Sequence, residues 1–386
     1  MAKKKESYSE SEGRTLDATP IANDDKGKSF CAMPQRPARV FSPNIDPSRE
    51  ALILLLGNKW ANATVLHYYF FDRESDGEFV FFQNGTKEFR TWTGEEAQKD
   101  VVRDAFKVWK SVGIGLEFTE VTTRGEAEIR IGFMQGDGAW SFLGRDILGK
   151  GPDERTMNFG WDLTRPGEID TAIHEIGHTL GFPHEHQNPN SGIVWDEEAV
   201  INALAAPPNN WSREKTIYNI IRKIAPDTVR GSNWDPNSIM HYPFGPGLIK
   251  SPEEYRLKGL NPPGGLSDFD KVWVKQFYPQ LNPANDQTLE PFKSVQLKLA
   301  PGDQQNFVIE PADTRYYTVQ VFGTSDTVAA LFEEVDGVFR FKTADDDSGQ
   351  DRNATIRLKL FKGRRYKLRI RLYYTGSAEN NAVMMW

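Results

Sequence analysis

Four of the six histidines in this chain of 386 residues lie within thirteen positions: His174, His178, His184 and His186. The apolar residues between positions 168 and 180 recur at helical spacing, which predicts a helix with one buried face. Residues four apart on a helix differ by about 40° around its axis, so His174 and His178 face the same point. Two imidazoles on one face are typical of a zinc site, because zinc takes nitrogen ligands in tetrahedral geometry.

The residues around this pair predict the rest of a metal centre. Gly181 follows His178 by three positions and can end the helix in a left-handed conformation, which would turn the chain so that His184 becomes the third ligand. Glu175 would lie beside the metal, where it can accept a proton from an activated water. Three protein ligands leave a fourth position open, as in catalytic sites. A metal site that has lost catalysis is the alternative, and the presence of Glu175 counts against it.

The pattern HExxHxxGxxH at residues 174–184 resembles the metzincin zinc endopeptidases, which also carry a methionine-containing turn beneath the metal. The sequence Ser-Ile-Met-His-Tyr at residues 238–242 matches that turn. Within the metzincins, this turn and Gly-Phe-Pro-His-Glu at residues 181–185 are similar to the astacin family. The resemblance covers roughly residues 58–280.

The resemblance implies a role for each matching residue. One zinc ion would be held by the three histidines of the motif, with Glu175 as general base and Met240 as a hydrophobic base under the ligands. Tyr242 would be a fifth ligand in the resting enzyme and would then donate a hydrogen bond to the oxyanion. Glu185 would either hold a new amino terminus after activation or be a surface carboxylate. His186 and His241 are predicted to be structural. The implied activity is that of a zinc-dependent metalloendopeptidase acting on proteins or peptides.

Cys31 is the single cysteine of the chain, so the disulfides usual in astacin domains are excluded. The aspartate-bearing inhibitory segment of the family is not recognisable before residue 58. A cysteine upstream of the domain could instead occupy the fourth zinc position and keep the enzyme latent, as in matrixins, although the residues around Cys31 do not match the matrixin switch sequence. A free thiol in a tail or a packed surface is the alternative.

The chain is predicted to contain a leader at residues 1–58, the peptidase domain at residues 59–280 and an all-β domain at residues 285–386. Residues 1–29 are polar and indicate a disordered tail, and no apolar segment follows the basic start, so a secretion signal is not predicted. The compartment stays open, although the family resemblance implies secretion. The fold class is α+β: a metzincin-type zincin domain with a mixed twisted sheet, an active-site helix and a lower subdomain, followed by a β-sandwich.

Two details of the sheet are also predicted. The strands at residues 64–71 and 78–82 are separated by Asp76 and Gly77, a favourable turn pair, and this predicts a hairpin. Residues 155–159 are the candidate edge strand for pairing with an extended substrate.

The C-terminal part resembles, loosely, the bacterial pre-peptidase C-terminal domains, through Gly302-Asp303 and an acidic turn at residues 345–349. That oxygen-rich turn could bind Ca²⁺, but its spacing fits no EF-hand and a solvated turn is favoured.

The net charge of −7 and the pI near 5.6 argue against nucleic acid as a partner, and no apolar run is long enough to span a membrane. The oligomeric state is not predicted. A serralysin- or matrixin-like metzincin protease is one alternative function, and a non-catalytic zinc protein that binds through its β domain is another.

Overall fold

The structure is a computed structural model, and it describes most of the chain after the leader. The described residues are 30–34, 59–60, 62, 64–82, 85–224, 233–280, 286–299, 304–346, 348–349, 353–372 and 381–386. The predicted disordered tail, residues 1–29, lies outside them, as do Gly302, Asp303 and one residue of the acidic turn.

The α-helices of the described chain all precede the C-terminal β region. They are α1 (Glu96–Ser111), α2 (Ile169–Thr179), α3 (Glu197–Ala205), α4 (Arg213–Thr216), α5 (Glu253–Lys258) and α6 (Asp268–Phe277). One π-helical turn, Ile217–Ile221, continues α4. None of these helices is long and apolar enough to cross a membrane.

Nine strands precede the C-terminal β region in the described chain, and most of them are short. They are β1 (Val65–Phe70), β2 (Gly77–Phe81), β3 (Lys87–Thr91), β4 (Glu117–Glu120), β5 (Ile129–Gly132), β6 (Trp140–Ser141), β7 (Met157–Asn158), β8 (Val194–Trp195) and β9 (Ile249–Ser251).

The central sheet has the strand order β4-β1-β5-β7-β6. Strands β1, β5 and β7 run parallel, whereas β6 runs antiparallel to β7, so the predicted mixed sheet is confirmed. The aromatic and β-branched residues that predicted the strands are buried here, and Tyr68 of β1 stacks on Phe106 of α1 with ring centroids 4.4 Å apart.

Two sheet predictions are wrong. Strand β2 pairs with β3 and not with β1, because β1 is already paired with β4 and β5 on its two sides. Strand β7, which lies inside residues 155–159, is bonded on both sides, to β5 and β6. Strand β6 takes the edge position beside β7 instead, at Trp140–Ser141.

The C-terminal region consists of two sheets around one apolar core, as predicted for a sandwich. Its strands are β10 (Gln287–Thr288), β11 (Val295–Gln296), β12 (Gln304–Ile309), β13 (Arg315–Phe322), β14 (Thr327–Val335), β15 (Val338–Asp345), β16 (Thr355–Leu360), β17 (Tyr366–Leu372) and β18 (Ala382–Met385). The sheet orders are β10-β12-β17-β14-β15 and β11-β18-β13-β16. Inward-facing residues such as Phe307, Tyr317 and Leu368 alternate with polar ones and form this core.

The chain divides into two compact units whose limits cut across the predicted domains. The first contains His67–Phe106 and Glu120–Ser267, together with the described residues up to Lys59. The second contains Trp60–Leu66, Lys107–Thr119 and Asp268–Trp386. The boundaries at residues 58, 280 and 285 stay predictions.

Candidate metal centre

Helix α2 places the first two histidines of the motif. Its apolar residues Ala172, Ile173 and Ile176 are buried, and this packing fixes the rotation of the helix. His174 and His178 therefore point inward from one face, and their ring centroids lie 4.7 Å apart. Both side chains are buried. A polar ring that is buried without a hydrogen-bond or metal partner costs free energy, so each ring needs one.

Gly181 ends this helix as the sequence predicts. It has φ +88°, and its N–H donates to the carbonyl of His178 at 2.8 Å. The N–H of Phe182 donates to the carbonyl of Gly177 at 3.0 Å, which completes the Schellman pattern of a left-handed helix end. The chain then reverses and brings the imidazole of His184 to within 3.0 Å of that of His178, Nε2 to Nε2.

We expect Gly181→Ala to lower both stability and metal content. A Cβ in the left-handed region costs about 1–2 kcal/mol, and relief of that strain would move His184. Gly167→Ala is the matched control, because Gly167 has φ +85° and open space around it but lies before α2. Both variants should lose similar unfolding free energy in urea, and only Gly181→Ala should lose bound metal by elemental analysis. Equal metal content in the two would contradict this role of Gly181.

Four side chains converge on one point of the first compact unit: Cys31, His174, His178 and His184. One donor atom from each lies within 4.8 Å of all the others, and all four residues are buried. The structure thus brings together the three predicted histidines and the cysteine that is 143 positions earlier in the chain than His174.

The backbone sets which nitrogen faces the centre in two of the three rings. The Nδ1 of His174 donates to the carbonyl of Ile239 at 2.7 Å, and the Nδ1 of His178 donates to the carbonyl of Phe182 at 2.7 Å. Because a carbonyl only accepts, these nitrogens carry the protons and each Nε2 presents a lone pair.

The donor atoms fit a metal ion. The Nε2 of His174 is buried without a hydrogen-bond partner, and the Nε2 atoms of His178 and His184 lie 3.0 Å apart. Burial lowers the pKa of His174 to about 4 and also lowers the pKa of His178 and His184, so the rings are neutral, as ligation requires. Three imidazoles and one thiol form a donor set that tetrahedral zinc favours.

Glu175 lies next to this centre, fully buried on α2. The thiol of Cys31 donates to its Oε2 at 3.4 Å. Burial raises the pKa of Glu175 to about 8, against the opposing effect of that hydrogen bond. Burial is the main cause that raises the pKa of Cys31, and the charge of Glu175 raises it further. A coordinated metal ion reverses this tendency, because it deprotonates a coordinating thiol.

The methionine-containing turn lies against the same centre. Ile239 holds the ring of His174 as described, and the carbonyl of the buried Met240 accepts a hydrogen bond from the backbone N–H of Glu185 at 2.9 Å. The hydroxyl of Tyr242 donates to the carbonyl of Cys31 at 3.0 Å and also contacts Nε2 of His184. Burial raises the pKa of Tyr242, so the phenol keeps its proton and remains a donor.

The neighbouring polar residues have internal partners. A carboxylate oxygen of Glu185 accepts from the Asn188 side chain at 2.9 Å and from the backbone N–H of Asp235 at 3.0 Å, so Glu185 holds the loop before the turn. His186 and His241 lie outside the donor cluster, and each bonds a backbone carbonyl, of Asn219 and Tyr242 respectively. That both are structural stays a prediction.

The sequence did not indicate several residues that lie at the centre. The backbone of Ser141 in β6 lies next to the sulfur of Cys31, and Asn209 and Trp211 contact Phe30. Nothing in the local pattern around these three residues marks them, since loop positions distant in sequence meet only in the folded chain.

A helix with two inward histidines, a left-handed glycine turn to a third, and a methionine-containing turn behind them define a metzincin-type zincin. Residues 88–245 match the model of the peptidase family named Astacin. The match covers 158 of the 386 residues and confirms the resemblance that the two motifs predicted.

Curated relatives match the same part of the chain. Bone morphogenetic protein 1 of Xenopus laevis is 30% identical over 152 residues, 36% of this chain and 19% of that protein. Blastula protease 10 of Paracentrotus lividus is 27% identical over 149 residues, 38% of this chain and 22% of that protein. The chain thus spans about a fifth of the length of these relatives. Among solved structures, one of myroilysin is 29% identical with a TM-score of 0.49, and covers 59% of this chain and 98% of that one.

Proposed function

We propose that this protein is a zinc-dependent metalloendopeptidase that cleaves internal peptide bonds of proteins. The observation that carries the proposal is the convergence of three neutral imidazoles on one point beside a buried carboxylate, within a domain of a peptidase family. His174, His178 and His184 would hold the zinc ion. Zinc, when bound, supplies a Lewis acid that polarises the scissile carbonyl and lowers the pKa of water.

The remaining chemistry belongs to two side chains. Glu175 takes a proton from the attacking water and then returns it to the leaving amine. The phenol of Tyr242 donates a hydrogen bond to the oxyanion, and its bond to the carbonyl of Cys31 supports this because the donor is already aimed at a carbonyl oxygen in the cleft. Met240 forms an apolar base behind the ligands.

An extended substrate would pair its backbone with strand β6. This strand lies at the edge of the sheet, and the backbone of its residue Ser141 lies next to the sulfur of Cys31. Antiparallel pairing at a free strand edge is a common mode of peptide recognition.

In the form of the chain that the structure describes, Cys31 would be the fourth zinc ligand and would keep the enzyme latent. Four protein ligands close a zinc site, whereas catalysis needs the fourth position for water. The thiol lies within the donor cluster, and hydrogen bonds with Asn209 and Tyr242 hold the segment around it. Displacement of this segment would open the site.

Removal of the metal from the Cys31→Ser chain is expected to abolish casein hydrolysis. Treatment with 1,10-phenanthroline should reduce the rate by at least about 100-fold, because the Lewis acid and the activated water are lost together. Addition of Zn²⁺ should restore the rate, whereas Ca²⁺ should not, since nitrogen donors disfavour it. Hydrolysis that survives complete metal removal would contradict the proposal.

A second assay, with a peptide library as substrate, separates the peptidase from a non-catalytic zinc protein. A chain that retains zinc but cleaves no member of a peptide library would favour the non-catalytic function.

The resemblance of the C-terminal domain to pre-peptidase domains, and Ca²⁺ at its acidic turn, stay predictions. In that turn, a carboxylate oxygen of Asp345 accepts from the backbone N–H groups of Ser348 and Thr355.

A further inference from the structure

Phe30 lies in a pocket of aromatic side chains beside the metal centre. Its ring centroid is 5.1 Å from that of Tyr242, 5.7 Å from that of Phe244 and 6.3 Å from that of Trp211. The contacts with Tyr242 and Trp211 are edge-to-face, which is a favoured geometry for aromatic pairs. The N–H of Phe30 donates to Oδ1 of Asn209 at 2.8 Å, so both side chain and backbone are recognised.

The walls of this pocket are anchored independently of Phe30. Phe244 exchanges two backbone hydrogen bonds with Leu260, at 2.7 and 2.8 Å, and packs on Trp195 with centroids 4.7 Å apart. The N–H of Trp211 donates to the carbonyl of Leu204 at 2.8 Å. Phe244 and Trp211 are also members of one buried apolar cluster. The pocket therefore keeps its shape when its occupant leaves.

The pocket lies next to the point where the scissile bond of a substrate would be. Phe30 precedes Cys31, whose sulfur lies among the imidazole donors and whose carbonyl accepts from Tyr242. A substrate that replaces this segment would place one of its own residues at the centre and the side chain of an adjacent residue in the pocket.

We propose that Trp211, Tyr242 and Phe244 form the specificity pocket of the cleft, which accepts an aromatic side chain of the substrate next to the scissile bond. Asn209 accepts a hydrogen bond from the backbone N–H of that residue. This inference rests on the proposed peptidase function and names its substrate class: peptides with Phe, Tyr or Trp beside the cleaved bond. An acidic side chain is disfavoured, because its carboxylate would be desolvated among the rings.

Binding tests the pocket without catalysis. In the full chain with Phe30→Gly, N-acetylphenylalanine amide should bind saturably in isothermal titration calorimetry, whereas N-acetylaspartic acid amide should bind at least about tenfold more weakly. Phe292→Gly is the matched control, because Phe292 is 72% exposed and its loss opens no pocket. Adding Trp211→Ala, or Asn209→Ala if the first variant does not fold, should weaken the binding. Equal binding of the two amides, or binding unchanged by both substitutions, would overturn the proposal.

Hydrolysis distinguishes this inference from the proposed function. The Cys31→Ser chain is given peptides that differ only by Phe, Ala or Asp at one position, and the cleaved bond is mapped by mass spectrometry. We expect kcat/KM for the Phe peptide to exceed that for the Ala and Asp peptides by at least about tenfold, with cleavage next to Phe. In Trp211→Ala, the ratio of kcat/KM between the Phe peptide and the other two should fall toward one. Cleavage without aromatic preference would overturn the pocket and leave the peptidase function intact. Selective binding without cleavage of any peptide would support the pocket and refute the peptidase function.

Discussion

Replacing Glu175 by alanine is expected to reduce peptide hydrolysis by about 10²–10⁴-fold while the zinc stays bound, because the proposed general base is lost and the three proposed ligands are not. The comparison is made in the Cys31→Ser chain, where the thiol no longer competes for the metal. Rates are measured with a quenched fluorescent peptide, and the zinc content by elemental analysis.

The buried position of Glu175 makes a second variant informative. Glu175→Gln keeps the volume of the side chain but cannot accept the proton, so it should be as inactive as the alanine variant. Glu185→Gln is the control, since Glu185 follows a proposed ligand but has its oxygen bonded to Asn188 and Asp235. An active Glu175→Gln enzyme would exclude this residue as the base.

Replacing Cys31 by serine is expected to raise casein hydrolysis by the full-length chain by about 100-fold or more. With about 99 closed molecules for each open one, the observed rate is about 100-fold below that of the open form. Serine favours the open form, because a neutral hydroxyl is a far weaker zinc ligand than a thiolate. Cobalt substitution gives a second readout, because the thiolate-to-Co²⁺ charge-transfer band should be present in the unmodified chain and absent from the variant.

The single cysteine simplifies the controls for the proposed latent state. A thiol-specific mercurial reagent can act only at Cys31 and should activate the unmodified chain to a similar extent. Ala32→Ser places a hydroxyl in the same segment and keeps the thiol, so it should remain latent. An unmodified chain that is already as active as Cys31→Ser would refute the latent state.

Much of the candidate site could be predicted from local sequence. The positions of His174 and His178 follow from helical periodicity, and the left-handed turn at Gly181 follows from the steric freedom of glycine. These predictions succeed because each depends on residues fewer than ten positions apart, whose relative geometry the backbone fixes directly.

Predictions about strand pairing were less successful, because pairing depends on strands that are far apart in the sequence. The turn residues Asp76 and Gly77 do precede a strand, but pairing is decided by which other strands are available, and β1 pairs with β5 some sixty residues away. In the same way, the edge position depends on whether a further strand pairs beyond β7, and β6 does.

The sequence by itself determined the chemistry that the chain can carry: three histidines and a glutamate at spacings that suit one metal ion. Only the tertiary structure decided the state of that centre. It placed Cys31 among the donor atoms and Phe30 among the rings of Trp211, Tyr242 and Phe244. A helix fixes its own side chains within a few residues, whereas the approach of a distant segment depends on packing over the whole domain.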